Sequence, residues 1–386
     1  MKIALVVYQF IKEKGGVESY VFHLSKQLLD RGHEVHIFAH RFGKDRYKGL
    51  ISHPVPAITF WSPLKYWTFA VNAPKIIKKT AVKFDLVHGF TQTSFQDIYR
   101  VGGGCHWDYM MHTYPFMQSR FGKILLCLNP RHFSLLFLER IIFKRKRYRQ
   151  ITCISEQCKE EIIRHYQLSP DDIEVIYNGV DTNIFAPQNK IRCRDAVRAK
   201  YGIAPDEVLL LFVGSGFKRK GLKYAIDALS LVNKSQKVKL LVVGKGNIRG
   251  YQRLAKEKDV LDKMVFAGVC KQIEEIYAGG DIFVFPSEYD AFGTACLEAM
   301  ASGLPVIASR TSGVSEIITH GQDGFVINYP IDAKDITNYI TVLLEKEKRE
   351  QIGLAARRKA EMYSFEANVE KTLRIYRKVL NTNPTE

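Results

Sequence analysis

DIFVFPSEYDAFGTACLEAMASGLPVIAS, residues 281–309, reads as a strand, a loop, a helix, a turn and a second strand. DIFVFPS (281–287) is an apolar run of strand length, rich in aromatic and β-branched residues. ACLEAMA is strongly helix-favouring, so a helix begins at Gly293 or Thr294. Gly303-Leu304-Pro305 stops it, and LPVIAS (304–309) supplies the next strand. Two strands joined through a helix argue for a parallel α/β sheet.

The same grammar extends in both directions. VLLLFVG (208–214), VKLLVVG (238–244) and MVFAG (264–268) precede this unit as strands, and GFVIN (324–328) follows it. In the first half, strands are expected at KIALVVYQ (2–9), EVHIFAH (34–40), FDLVHGF (84–90), DIYRV (97–101), ITCIS (151–155) and IEVIY (173–177). VESYVFHLSKQLLDRG (17–32) has helical spacing and ends on Gly32. NGVDTNIF (178–185) breaks the pattern, and Asp181–Asp206 reads as irregular. The expected organisation is therefore α/β, with two Rossmann-like domains facing a central cleft. Residues 1–180 form one domain and 181–364 the other, with an amphipathic helix at 365–381 returning to the first.

In open parallel sheets, ligands bind beyond the carboxyl ends of the strands. Asp290 and Glu298 lie just after such an end, separated by seven residues. Free backbone N–H groups around Phe292, Gly293 and Thr294 would point out of the helix start and accept a phosphate, helped by the helix dipole. Asp290 could accept hydrogen bonds from sugar hydroxyls, and Glu298 from a ribose diol. The competing reading is a capped, buried helix with two solvated acids.

The run from Pro286 to Val306 resembles the signature of the retaining GT-B glycosyltransferases of family 4, which pair two acids across seven residues. Here the first acid is Asp290, a shorter variant. LLFVGSGFKRKGLKYAIDAL (210–229) resembles the other signature of that family. The resemblance covers nearly the whole chain and is strongest from about 205 to 330. It implies a GT-B fold and transfer of a hexose from a nucleotide diphosphate-sugar, most simply UDP-glucose, to a lipid-linked or lipopolysaccharide-core acceptor.

The resemblance also implies roles. Arg219 and Lys220, after the strand-end Gly214, would hold the donor diphosphate. Some relatives carry a further arginine where Ser215 stands, which places more weight on this pair. Gly15 and Gly16 match the family's first glycine loop. The base would lie against backbone at Val269, between Gly268 and Cys270. His106, in VGGGCHWDYM (101–110), matches an active-site histidine beneath the transferred sugar. Relatives carry an aspartate where Gly103 or Gly104 stands here, and Asp108 is the candidate to compensate. The implied catalytic set is His106, Arg219, Lys220 and Asp290. No protein nucleophile is implied, since the departing phosphate takes the acceptor's proton. Neither an Asp-x-Asp nor a His/Cys metal-ligand spacing occurs, so no metal and no cofactor are expected. The alternatives are a nucleotide-sugar 2-epimerase of the same fold and a non-catalytic, membrane-binding relative.

The formal net charge is +17, which calls for an anionic partner or surface. The charge is concentrated. Residues 111–150 hold nine lysines and arginines against the single acid Glu139, interleaved with aromatic residues. This stretch reads either as an amphipathic surface for anionic lipid or as a core helix with a solvated basic face. No nucleic-acid recognition motif accompanies it. The seven cysteines, an odd number without a Cys-x-x-Cys pair, read as reduced thiols, and no run is long enough to span a bilayer. The expected location is cytoplasmic, peripheral on the inner face of the membrane.

Overall fold

A computed structural model of the chain describes residues 1–44, 47–114, 119, 122 and 129–381. The chain divides into two compact units. One comprises Met1–Tyr177 with Asn368–Glu386, and the other Asn178–Ala367.

The first unit is built on seven parallel strands: β1 (Lys2–Val6), β2 (Glu34–Ala39), β3 (Ile51–Pro54), β4 (Leu86–Gly89), β5 (Ile98–Val101), β6 (Gln150–Cys153) and β7 (Ile173–Val175). Their order is β3-β2-β1-β4-β5-β6-β7. Its described helices include α1 (Gly16–Asp30), α2 (Ser62–Lys79), α3 (His106–Thr113), α4 (Pro130–Lys144) and α5 (Glu156–Tyr166). Ile3, Ala4, Leu5 and Val6 are all fully buried, as expected for a strand covered on both faces.

The second unit opens with α6 (Asn189–Lys200). Then strands and helices alternate: β8 (Val208–Val213), α7 (Leu222–Leu231), β9 (Val238–Val243), α8 (Ile248–Glu257), β10 (Met264–Gly268), α9 (Ile273–Gly279), β11 (Ile282–Phe285), α10 (Thr294–Ala301), β12 (Val306–Ser309) and β13 (Phe325–Ile327). Helices α11 (Ala333–Leu344) and α12 (Lys346–Glu361) complete it. The parallel order is β10-β9-β8-β11-β12-β13. Chain order runs outward from β8 one way, then from β11 the other. The crevice beyond these two strand ends is where such sheets bind ligands.

A last helix, α13 (Phe365–Asn381), starts in the second unit and ends in the first. Asn368 accepts a hydrogen bond from the Tyr20 hydroxyl at 2.8 Å, and the Tyr376 hydroxyl lies 2.7 Å from His88 Nδ1.

One expectation is overturned. Residues 181–206 are not irregular throughout, because α6 fills 189–200. Its sequence, NKIRCRDAVRAK, lacks an apolar stripe. The helix is held instead by Val197 and by Arg198, whose guanidinium is buried against Asp281. Polar anchoring of that kind leaves no periodic signal. Strand β3 and helix α2 are further elements that the sequence pattern does not announce. The strand, ISHP, is an edge strand with its first and last residues exposed.

Candidate active site

Beyond β11 the chain turns through Pro286–Phe292 into α10. The turn is fixed by its own hydrogen bonds. Asp290 N–H donates to Thr311 O at 3.1 Å, and Gly313 N–H donates to Asp290 O at 3.0 Å. Gly293 caps the helix at φ +94°, a conformation that favours glycine. A Cβ there would lie 2.9 Å from the Phe285 ring. The backbone N–H groups of Gly293 and Thr294 make no hydrogen bond among the described residues. That of Phe292 is already used, donating to Asp290 Oδ1 at 3.2 Å. The turn before the helix thus offers fewer free donors than the sequence suggests, because Asp290 takes the Phe292 N–H.

The basic pair converges on the same carboxylate. Arg219 Nη1 donates to Asp290 Oδ2 at 3.0 Å and to Tyr289 O at 2.6 Å. Lys220 Nζ donates to Asp290 Oδ2 and sits 4.5 Å from the centre of the Phe285 ring. Gly221 makes this approach possible. It has φ +75°, and a Cβ there would collide with Pro286 O at 1.8 Å. Gly214, at φ +156°, packs beside the Lys220 stem. Burial alone would raise the Asp290 carboxyl, but Lys220 and then Arg219 outweigh it and hold it down to about 2. Burial likewise lowers Lys220, opposed by Asp290. Asp290 is therefore held by the chain's own cations, with two of its interactions on one oxygen, rather than standing free towards a sugar.

Glu298 lies one turn into α10. Its Oε2 accepts from the Tyr277 hydroxyl at 2.9 Å. Withdrawal from water pushes its carboxyl up to about 7, against the Tyr277 hydrogen bond. Thr294 Oγ1 accepts from Asn178 Nδ2 at 3.0 Å. Val269, past the end of β10, is exposed.

The remaining candidates belong to the first unit. Gly15 is extended and Gly16 opens α1. Only the flexible end of Glu18 approaches a Cβ at Gly15, and nothing approaches one at Gly16. Neither glycine is demanded by its own conformation. His106 begins α3, with Nε2 3.0 Å from His132 Nδ1. Burial, then His132 and Arg131, lower it to about 4, so the ring is neutral at pH 7. It borders a 250 Å³ pocket lined also by Arg100, Gly102, Gly103, Gly104 and Arg131.

Asp108, the candidate to compensate for an aspartate near Gly103, is already engaged within the first unit. Its carboxylate is held by His165 Nε2 at 2.6 Å and Arg164 at 3.7 Å, both on α5. Cys105, Asp108 and His165 bring ligand atoms within 4.8 Å of one another, a clustering that sequence spacing conceals. Burial pushes the Cys105 thiol far up, and the arginine shares the carboxylate, so the group reads as an ion pair beside a protonated thiol.

Two family models match this chain, the family 4 glycosyltransferases over residues 14–184 and the group 1 glycosyl transferases over 194–359. The chain is a family 4 glycosyltransferase. An uncharacterised glycosyltransferase of Methanocaldococcus jannaschii is 27 % identical over 98 % of both chains. The lipopolysaccharide glucosyltransferase WaaG of Escherichia coli is 25 % identical over 88 % of each. The crystal structure of WaaG superposes with a TM-score of 0.81 at 22 % identity, covering 97 % of this chain and 99 % of that one. HepE of Anabaena, solved with UDP and glucose, gives 0.72 at 19 % identity over 98 % and 100 %. The fold is GT-B.

In this glycosyltransferase, sequence reasoning overlooked the support beneath His106. Glu139, on α4, accepts from the His106 backbone N–H at 3.2 Å and from the Tyr166 hydroxyl at 2.9 Å. Burial raises its carboxyl to about 8. A signal was present: Glu139 lies among Leu135, Leu138 and Ile142 on the buried face of α4. An acid on an apolar stripe is the informative exception.

Proposed function

We propose that this glycosyltransferase moves a hexose from a nucleotide diphosphate-sugar, most simply UDP-glucose, to a lipid-linked or lipopolysaccharide-core acceptor with retention of configuration. The observation that carries the reading is the convergence of Arg219 and Lys220 on Asp290 beside the open helix start at Gly293. As the glycosidic bond breaks, charge grows on the departing diphosphate. Two cations already gathered at this point, with unpaired N–H donors nearby, stabilise that charge. The diphosphate draws the cations' attention from Asp290, whose oxygens then turn to sugar hydroxyls. Glu298 takes the ribose diol, and the base lies along the backbone at Val269. The names of WaaG and of HepE with UDP and glucose support the donor class.

His106 is the first unit's candidate for the transferred sugar, and its neutral ring can serve as a hydrogen-bond donor. The acceptor's proton passes to the departing phosphate oxygen, and no metal is needed to carry the charge.

A membrane-associated acceptor is supported by α4. Phe133, Phe137, Arg140 and Lys144 are all exposed, and their spacing of four, three and four places them on one stripe. Trp67 of α2 packs 5.3 Å from Phe137. Aromatic and basic groups on one face suit the interface of an anionic bilayer. Arg120, Lys123 and Cys127 fall outside the described residues. Among those described, no helix is long and apolar enough to cross a membrane.

The deciding experiment follows release of nucleoside diphosphate from UDP-, GDP-, ADP- and CMP-sugars. One donor should be turned over, and Lys220→Ala should lower the rate about 10²–10³-fold. An epimerised sugar in place of released diphosphate would sink the transferase reading in favour of an epimerase. Absence of any nucleotide-sugar binding by calorimetry would favour a non-catalytic role.

A further inference from the structure

The second unit carries a cavity at the opposite end of its sheet from the donor site. It has a volume of about 520 Å³ and is lined by Lys190, Arg194, Asp281, Pro305, Arg349 and Glu350 among others. Asp281 immediately precedes β11, and Pro305 immediately precedes β12, so the cavity opens at the strand entries. Arg219, Lys220 and Asp290 follow the exits.

The charges around it do not balance. Asp206 and Glu207, also on its wall, are paired outward with Lys237 and Lys239. Glu350 has Lys346 at 3.9 Å. Asp281 is bracketed by two arginines, Arg194 at 2.7 Å and Arg198 at 3.1 Å. Arg349 spends its Nη1 hydrogens on carbonyls, Leu343 O at 2.7 Å and Leu344 O at 3.1 Å, with no carboxylate partner. Among the described residues, Lys190 Nζ has no hydrogen-bond or ion-pair partner. Counted with their partners, the cations on this wall outnumber the acids: one arginine of the Asp281 bracket, Arg349 and Lys190 have no acid of their own in direct contact among the described residues.

We infer that this cavity is a second anion site, taking a small ligand of the phosphate class with two or more negative charges. A desolvated ammonium with no acid in direct contact is costly unless something supplies a closer counter-ion. Burial, followed by Arg194, lowers the Lys190 ammonium's affinity for its proton, and the opposing pull of Asp281 and Glu350 does not make up for it. An arriving dianion would restore that affinity. Arg194 stays fixed by Asp281 and by Gly280 O at 3.1 Å, so it presents its charge without rearranging. The cavity's lining offers no aromatic ring for a base to stack on, which suits a pyrophosphate or a phosphorylated sugar better than a nucleotide-sugar. The site shares no lining residue with the donor crevice and stands whether or not the donor reading does.

Pyrophosphate titrated calorimetrically into the full chain tests it. Wild type should bind at two sites, and Lys220→Ala should leave one. Adding Lys190→Met to Lys220→Ala should weaken the remaining site at least tenfold, whereas Lys190→Arg should retain it. In the otherwise wild-type chain, Lys190→Met should reduce the stoichiometry from two to one, with a melting temperature in buffer no lower than that of wild type. Pelleting with phosphatidylglycerol vesicles distinguishes the source of the anion: insensitivity to Lys190→Met assigns the cavity to a soluble phosphate, and parallel loss assigns it to a phospholipid headgroup. The inference is overturned if Lys220→Ala abolishes all pyrophosphate binding, or if Lys190→Met leaves the second site intact.

Discussion

Glu298 shows how one carboxyl can report both on folding and on the donor. Burial holds it near 7, against an ordinary value of 4.5. Below 4.5 it is protonated in both folded and unfolded chains. As pH rises towards 7 the unfolded chain loses the proton first, so stability falls across that interval. Glu298→Gln keeps an acceptor for Tyr277 but removes the titration. The variant should therefore be more stable than wild type at pH 8, on the order of 2 kcal/mol, and indistinguishable near pH 4. Urea unfolding at the two pH values measures this. Donor affinity runs the other way in wild type. Ribose hydroxyls prefer the carboxylate, so binding should tighten as pH rises through 7. A flat affinity profile would remove Glu298 from the ribose. Asp290 has the opposite sign, with its stabilisation complete above the ordinary carboxylate range and lost as pH falls towards 2.

At the scale of elements, the decisive unit is β11, its exit turn and α10. Gly293→Ala would place a methyl in the left-handed region and against Phe285. It should cost about 1–3 kcal/mol in denaturant unfolding and weaken nucleotide diphosphate binding more than nucleoside binding, because only the phosphate meets the helix start. Equal losses for both ligands would contradict a phosphate role for that turn. This unit was legible because its apolar strands and glycine stops are local signals. Strand β8, VLLLFV, was legible for the same reason. Helix α6 was not, since Arg198 and Asp281 are 83 residues apart and their pairing appears only once the chain folds. The site divides likewise. The identity of Arg219, Lys220, Asp290 and Glu298 could be read from motifs, whereas the tie of Asp290 to both cations could not. Glu139 supports His106 from 33 residues away, a partnership visible only in three dimensions.

For the whole molecule, the +17 net charge and the exposed stripe of α4 bear on where catalysis takes place. Each basic residue near an anionic surface contributes about 1 kcal/mol, and salt screens that attraction within a Debye length of about 10 Å at 0.1 M. Co-sedimentation with phosphatidylglycerol vesicles should fall steeply between 50 and 500 mM salt (roughly 14 to 4 Å of screening length). Phe137→Ser should reduce it further at a fixed salt concentration, and Arg140→Gln should flatten the salt dependence. Binding that ignores both substitutions would place the lipid contact elsewhere.

The return of α13 to the first unit also bears on biosynthesis. Tyr20 and His88 emerge from the ribosome long before Asn368 and Tyr376, their hydrogen-bond partners. At roughly 5–20 residues per second, the intervening chain takes on the order of tens of seconds to make. The second unit, contiguous in sequence, can close during that interval. The first, although translated earlier, stays incomplete until the last helix arrives, so the order of synthesis and the order of completion are reversed.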